Sequence, residues 1–424
     1  MPRAPRGTND ILPSQQRYWK AVETAAESIC ETFGFNRIRL PAFEDSSLFT
    51  RGIGDTTDVV EKEMYTFLDR GGDSLTLLPE GTASVCRAYI QHGMHTNVQP
   101  VRLYYFSPIF RYERPQSGRY RQHHQFGVEA LGSDDPIVDA EIIELGWSFL
   151  NKLGLHDVTL FINSIGCPIC RAPYGTILKE YYASKLNQMC EDCKSRYERA
   201  PLRLLDCKKP TCQPFALQAP HTTDFLCEDC SNHWQQLQTY LTAINIPFEI
   251  SHSIVRGLDY YTKTVFEFQP NDKEGSQSTI LAGGRYDGLI GQIGGPPTPA
   301  IGFGSGMERL VMNMQAAKSE VTNLEKRPVV ITTAGSIDPQ ILAQSAAELR
   351  RHNIYTTIAP PGKSMKSQMR YAGAVNAKFV VVLGEQELVS GVIQIKDMDS
   401  GSQKQIAVNT LLAHILSLQK SIET

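Results

Sequence analysis

Arginine grips phosphate oxygens through two parallel hydrogen bonds, and the chain gathers it most densely just after Phe110. The run Phe110-Arg111-Tyr112-Glu113-Arg114-Pro115 continues through Gln116, Arg119 and Arg121 and is followed by Gln125-Phe126-Gly127-Val128-Glu129. This pattern predicts a loop between two strands, with Arg111 held in a fixed direction on a strand and Arg114, Arg119 and Arg121 in or beside the loop tip. A charge run read alone is usually a solvated hairpin, so the arginines gain meaning only beside other polar clusters. One such cluster is Val255-Arg256-Gly257-Leu258-Asp259-Tyr260-Tyr261, although single tyrosines are more often core residues with a satisfied hydroxyl. Another is Leu78-Pro79-Glu80-Gly81-Thr82, which reads equally as a helix start capped by Thr82. Two glycine-dense stretches, Ala282 to Gly288 and Gly294 to Gly306, would let the backbone pass close to a ligand.

Eight of the ten cysteines fall between Cys167 and Cys230. They form the pairs Cys167/Cys170, Cys190/Cys193 and Cys227/Cys230, each a CxxC, with Cys207 and Cys212 between them. Without a secretory signal, metal ligation or free thiols are expected before disulfides. Two zinc sites of four thiolates could be assembled; partly buried free thiols are the alternative.

These residues must be positioned by several domains, because 424 residues exceed what one core usually organises. Helical spacing of Trp19, Val22, Ala26 and Ile29 predicts a helix over Gln15 to Phe33, closed by Gly34. Strands are predicted at Arg37 to Leu40, Leu75 to Leu78, Val101 to Phe106, Pro108 to Tyr112, Phe248 to His252 and Val265 to Gln269, with a helix at Gly81 to His92 and another from Met307. The break in pattern from Cys167 to about residue 248 reads as an insertion. Gln315 to Arg327 reads as a linker. Beyond it, strands at Val329 to Thr333, Tyr355 to Ile358 and Phe379 to Leu383 alternate with helices at Ile337 to His352, Lys363 to Asn376 and Thr410 to Leu418, a small α/β domain.

Composition sets limits. Hydrophobic residues at 41% and charged residues at 21% describe an ordinary globular chain. No apolar run is long enough to cross a bilayer and Met1 to Pro13 lacks a signal-peptide core, so a cytoplasmic protein with no membrane partner is expected. The net charge of -3 confines any nucleic-acid surface to a local patch, for which Lys363, Lys366 and Arg370 are candidates. Gly362-Lys363-Ser364 resembles the end of a P-loop, but Thr357 occupies the place of the required glycine. No His/Ser/Asp arrangement suggests hydrolysis.

Taken together, the Phe110 to Glu129 stretch resembles motif 2 of the class II aminoacyl-tRNA synthetases, and Val255 to Tyr261 and Ala282 to Gly288 resemble motifs diagnostic of histidyl-tRNA synthetases within that class. Gly302-Phe303-Gly304-Ser305-Gly306-Met307-Glu308-Arg309 resembles motif 3, and the likeness runs from Arg6-Gly7-Thr8-Asn9-Asp10 through Pro41, at the place of motif 1, nearly to the end. The resemblance implies a catalytic domain over residues 1–325, α+β and built on an antiparallel sheet flanked by helices, with an inserted subdomain at about 167–248, and a C-terminal α/β anticodon-binding domain over 328–424. It implies ATP-dependent activation of histidine to an adenylate, with magnesium, then transfer to histidine tRNA by a homodimer.

Carried over residue by residue, Arg111 and Arg256 would flank the α-phosphate of ATP, Glu113 would orient the adenine, and Arg309 would contact the phosphates and stack near the adenine. Glu80, Thr82 and Gln125 would hold the α-amino group of histidine, and Glu129 and Tyr261, with Tyr260 beside them, the imidazole. Arg114 and Gln116 would read the extra 5′ nucleotide of the tRNA. Where the family commonly has a phenylalanine stacked on adenine, this chain has His123. A histidine-sensing regulatory paralogue is the rival reading, but such relatives lack the terminal domain and blur the motifs.

Overall fold

The computed structural model describes residues 2–53, 59–116, 118–271, 279–319 and 327–423. The chain divides into two compact units, Met1–Thr322 and Asn323–Thr424. Most of the linker expected over Gln315 to Arg327 lies outside the described residues.

In the larger unit helix α1 (Gln16–Thr32) leads to strand β1 (Asn36–Arg37), then to β2 (Phe43–Asp45), helix α2 (Ser46–Ile53), β3 (Thr66–Leu68) and β4 (Ser74–Leu77). Helix α3 (Thr82–Gln91) precedes the long hairpin of β5 (Val101–Phe110) and β6 (Gln122–Leu131), then helix α4 (Pro136–Lys152) and β7 (Val158–Ser164). The segment expected as an insertion is helical: α5 (Pro168–Ala183), α6 (Glu191–Arg199), α7 (Gln213–Leu217) and α8 (Glu228–Ala243). The chain closes with β8 (Glu249–Ile250), β9 (Thr262–Pro270), β10 (Leu281–Arg285), α9 (Leu289–Gln292), β11 (Ala300–Gly306) and α10 (Met307–Ala316).

Eight strands form one sheet in the order β1-β5-β6-β11-β10-β9-β7-β8. Its interior pairs are antiparallel; only the short edges, β1 on β5 and β8 on β7, run parallel. Because side chains alternate along a strand, this sheet has two chemically different faces. Tyr104, Phe126, Val128, Phe266, Phe268, Ile301 and Phe303 point one way, into a core with Trp19 and Val22 of α1, Leu145 and Phe149 of α4, Trp234 and Leu237 of α8, and Leu310 of α10. Phe126, Phe149, Phe266 and Phe268 are fully buried there, each contributing about 1.5–3 kcal/mol by transfer from water. The opposite face carries Tyr105, Gln125, Glu129, Gly302, Gly304 and Gly284.

Three sequence expectations are corrected. The strand expected over Arg37 to Leu40 is only Asn36–Arg37, pairing Leu103 and Tyr104. The two strands expected at Val101 to Phe106 and Pro108 to Tyr112 are one ten-residue strand. Pro108 does not interrupt it, because its missing donor faces the open side beyond β1, where Phe110 sends its N–H to the Leu78 carbonyl. Helix α8, within the expected insertion, belongs to the aromatic core through Trp234, Leu237 and Leu241.

A buried ion network joins the layers. Asp139 of α4 and Arg285 of β10 are both 0% exposed and paired; Asp139 also meets His233 Nε2 at 2.7 Å and accepts from the Thr264 hydroxyl at 2.6 Å, while Arg285 Nη1 donates to the Ser133 carbonyl at 2.8 Å. Burial alone would raise the Asp139 carboxyl, but Arg285 and His233 hold it down at about 2.

In the smaller unit β12 (Val329–Ala334), α11 (Pro339–Arg351), β13 (Thr356–Ile358), α12 (Met365–Ala374) and β14 (Phe379–Gly384) alternate as expected. They are followed by α13 (Glu385–Ser390), β15 (Val392–Asp397), β16 (Gln403–Ala407) and α14 (Leu411–Glu423). The sheet order is β13-β12-β14-β15-β16, parallel through β14 and antiparallel beyond. The hairpin of β15 and β16 was missed in the sequence. Its period-two signal, Ile393, Ile395 and Ile406, is thin and diluted by polar residues. Lys363 precedes the N-cap Ser364, so the basic face of α12 is Lys366 and Arg370. No helix among the described residues is long and apolar enough to cross a membrane.

Removing one partner of the buried pair leaves the other charge stranded. Arg285→Met should therefore destabilise the larger unit by about 3–5 kcal/mol, and Asp139→Leu combined with it should recover part of that loss. Calorimetric unfolding of the three proteins checks this; equal stability of wild type and Arg285→Met would refute it.

Candidate active site

The register of β6 against β11 sets Glu129 opposite Gly302, Gly127 opposite Gly304 and Gln125 opposite Gly306. A Cβ on Gly302 would run into the Glu129 carboxylate, and one on Gly304 into the Gln125 amide. These glycines thus clear space for two polar side chains lying across the sheet. Gly127 likewise leaves room for the ring of Tyr105.

Glu129 is 1% exposed. It accepts hydrogen bonds from the hydroxyls of Tyr286 at 2.5 Å, Thr82 at 2.7 Å and Tyr105 at 3.5 Å. Burial pushes its carboxyl up to about 8, against the Tyr286 and Thr82 hydroxyls that favour the charge, and the neighbouring Glu80 adds to the rise. Glu80, also buried, accepts from the N–H groups of Thr82 at 2.9 Å and Ala83 at 2.7 Å, and from the Tyr260 hydroxyl at 3.4 Å. So Glu80 caps α3, and Thr82, expected as the cap, turns its hydroxyl to Glu129 instead. Tyr260 packs 4.8 Å from Tyr261 and 5.7 Å from Tyr286, ring centre to ring centre. The result is a buried cluster of two carboxyls and four phenols.

Beside it opens a cleft of about 310 Å³ lined by Arg111, Glu113, His123, Arg256, Glu308 and Arg309 among others, with Gly304 and Gly306 in its floor. Arg111 lies one residue past the end of β5 rather than on it; its backbone N–H is fixed by the Arg121 carbonyl at 2.9 Å and its Nε by the Pro79 carbonyl at 2.7 Å. Arg256 arrives from far along the chain, pairs with Glu267 at 2.7 Å and lies 5.7 Å from the Tyr261 ring, its buried Nε without a hydrogen-bond partner among the described residues. Arg309, at the start of α10, donates to the Thr279 carbonyl, and through Nη2 to the Gly118 carbonyl at 3.4 Å. Glu308 accepts the backbone N–H of His124 at 3.0 Å. Burial, with Arg111 close by, drives the His123 ring down to about 3, so it is a neutral, flat aromatic surface at pH 7.

The structure thus gathers Arg111, Glu113, His123, Arg256 and Arg309 on one cleft and groups Glu80, Thr82, Glu129 and Tyr260 by hydrogen bonds, with Tyr261 and Gln125 adjoining. Arg114 and Gln116 are exposed on the hairpin tip, outside the cleft lining, where Gln116 bridges to Arg119. The cysteines form two groups of four, Cys167, Cys170, Cys227 and Cys230, and Cys190, Cys193, Cys207 and Cys212. Sequence reasoning gave no role to Tyr105, Tyr286 or Glu267. Tyr105 and Glu267 sit in strands that read as ordinary core or alternating pattern, and Tyr286 was visible only as one letter of the Ala282 to Gly288 motif.

Comparison with known proteins identifies the family. A family model described as histidyl-tRNA synthetase matches residues 7–169 and 176–310, and one described as an anticodon binding domain matches residues 329–418. The histidine–tRNA ligase of Dehalococcoides mccartyi is 49% identical over 98% of this chain and 99% of its own. That of Caldanaerobacter subterraneus is 46% identical over 96% and 98%. The crystal structure of apo Staphylococcus aureus histidyl-tRNA synthetase superposes with a TM-score of 0.82 at 35% identity, covering 98% of this chain and 99% of that one.

Glu129 makes a checkable contribution to stability. A glutamate in the unfolded chain titrates near about 4.3, so between that value and about 8 the folded protein binds a proton that the unfolded chain has released. The Glu129 contribution is fully present below about 4.3 and lost as pH rises through about 8. Unfolding measured across this range should show stability falling with pH, with a shallower fall in Glu129→Gln; identical slopes would sink the assignment.

Proposed function

The chain belongs to the histidyl-tRNA synthetase family and is a histidine–tRNA ligase, and from that premise we propose how its residues divide the work. Histidine binds at the buried cluster with its ammonium on Glu80, Thr82 and Gln125 and its imidazole between Glu129 and Tyr261, with Tyr260 holding Glu80. ATP fills the cleft, its adenine against His123 and Glu113 and its phosphates against Arg309. The substrate carboxylate, already ionised at neutral pH, attacks the α-phosphorus in line. The new carboxyl–phosphorus bond forms as the bond to pyrophosphate breaks. Magnesium carried in with ATP supplies neutralisation of the departing charge. The 3′-terminal hydroxyl of histidine tRNA then attacks the adenylate carbonyl, and AMP leaves.

One observation carries this reading: Arg111 and Arg256, distant in sequence, line the same cleft, next to a carboxyl cluster. Fixed cations flanking the α-phosphate stabilise charge that grows in the transition state more than charge already present in bound ATP. In the free protein Glu267 holds the Arg256 guanidinium through Nη1 at 2.7 Å, which orients it in the cleft.

Residues 1–325 are proposed as the catalytic domain, with its insertion at about 167–248, and 328–424 as the anticodon-binding domain. Lys366 and Arg370 are exposed on α12 for phosphate contact, and Arg114 and Gln116 are exposed for the 5′ end of the tRNA. A homodimer is proposed across the three-stranded sheet that follows Pro41, where Phe43 is 49%, Phe67 43% and Leu68 70% exposed. The cytoplasm is the proposed location. The cysteines of the insertion are assigned to structural zinc, outside the reaction.

Arg256→Ala should slow histidine-dependent exchange of pyrophosphate into ATP by about 10²–10³-fold while the protein stays folded at the assay temperature, as its circular dichroism spectrum checks. Other amino acids serve as controls. Near-normal exchange in the variant would remove Arg256 from the chemistry.

A further inference from the structure

We infer that the thiols of the insertion make two separate zinc tetrathiolate sites, and that the first of them is a positioning element for the histidine pocket. The inference deepens the zinc assignment above and rests on it. In each group of four cysteines all sulfur atoms lie within 4.8 Å of one another. A tetrahedral zinc with bonds of about 2.3 Å requires sulfur–sulfur edges of roughly 3.8 Å. Cys167 lies 3.7 Å from Cys170 and 3.9 Å from Cys227, and Cys190 lies 3.9 Å from Cys207. Disulfides would need about 2.05 Å, and all these cysteines are free.

The local backbone suits thiolates. Cys167, Cys190 and Cys227 are the N-caps of α5, α6 and α8, so each CxxC places two sulfurs at the positive end of a helix. Backbone N–H groups point at sulfur in both groups: Cys227 to Cys170 at 3.1 Å and Cys190 to Cys212 at 3.3 Å. Such donors spread the charge that four thiolates around one zinc would carry.

The two sites have different surroundings. The first joins α5 and α8, where the chain leaves β7 and begins its return to the sheet, and α8 is anchored in the aromatic core. Just before it the Ile165 N–H donates to the Lys263 carbonyl at 2.8 Å, and the Lys263 N–H to the Gly166 carbonyl at 3.0 Å. Arg171, next to Cys170, donates to the Tyr261 carbonyl at 3.1 Å. A zinc there fixes the base from which Tyr261 is held. The second site folds the segment around α6, which meets the Val255 to Gly257 end of the same motif: Arg203 donates to the Gly257 carbonyl at 3.2 Å. Asp206 and Lys208, flanking Cys207, line a cavity with Arg256 and Glu267, whereas the Arg171 bond is directed at Tyr261 itself.

The test uses the full chain. Elemental analysis should find about two zinc ions per chain, and cobalt substitution should give tetrathiolate ligand-field bands that saturate at about two equivalents. Cys167→Ser and Cys190→Ser should each retain about one zinc. In pyrophosphate exchange Cys167→Ser should raise KM for histidine about tenfold with KM for ATP little changed, whereas Cys190→Ser should leave KM for histidine within about twofold. Arg171→Ala, which removes no ligand, should keep two zinc ions and raise KM for histidine in the same direction, and it decides the matter if the serine variant does not fold. A chain that binds no zinc or cobalt overturns the zinc assignment itself. Two bound ions with an unchanged histidine KM in Arg171→Ala, or equal changes in the two serine variants, overturn only the positioning role.

Discussion

A carboxylate can be sunk into the face of a β-sheet only if the strand beside it gives up its side chain, and Glu129 opposite Gly302 is that arrangement. Much else in the larger unit follows from it. The glycines of β11 that make room for Glu129 and Gln125 contribute nothing to packing on that face, so the same strand must bury Ile301 and Phe303 on the other. The aromatic core and the polar pocket are two sides of one strand. A slip of one residue in the β6 register would drive Glu129 into the phenylalanine cluster and Val128 into the pocket, costing several kcal/mol on both faces at once.

The cleft obeys a related rule for cations. Arg111 and Arg256 are each oriented by one fixed partner, the Pro79 carbonyl and the Glu267 carboxylate. A carbonyl leaves the guanidinium charge uncompensated, whereas a carboxylate cancels it. The two arginines are therefore unequal in the free protein. On the proposed mechanism both receive a phosphate, and the Glu267 carboxylate beside Arg256 keeps two like charges in one cleft from repelling at full strength before substrate arrives.

The long elements were legible in the sequence wherever one physical signal dominated. Trp19, Val22 and Ala26 at helical spacing gave α1 to within a residue at either end, and Gly34 at φ +74° ends it as expected. Val101 to Phe110 was harder, because a proline in a strand reads as a break unless the open edge beside it is known. The site was legible as letters and not as contacts. Arg111, Arg256, Glu80 and Glu129 could be picked out, but that Glu80 caps α3, that Thr82 serves Glu129, and that Gly302 and Gly304 answer to side chains on β6 are facts of register, which no local window contains. Tyr105 shows the limit: its fully buried ring looks like any core tyrosine until Gly127 and Glu129 are placed beside it. The cysteine spacing allowed several partitions into fours, and only the helix N-termini brought together in space select one.

On the proposed function, selectivity follows from how the buried carboxyl is kept. Burial, with Glu80 nearby, pushes the Glu129 carboxyl up to about 8 against the three hydroxyls that donate to it, because charge there is poorly solvated. On the proposed reading an ammonium bound at Glu80 removes the like-charge part of that penalty, and a ring N–H bound at Glu129 offsets part of the rest. A side chain of similar size without a ring donor offers neither partner nor proton. It would leave the desolvated carboxyl short of that one donor, at a cost of about 1–3 kcal/mol and more if the group is charged. On that reading discrimination arises from the expense of an unmatched group already buried in the sheet, and the glycine opposite it is what allows that group to be there.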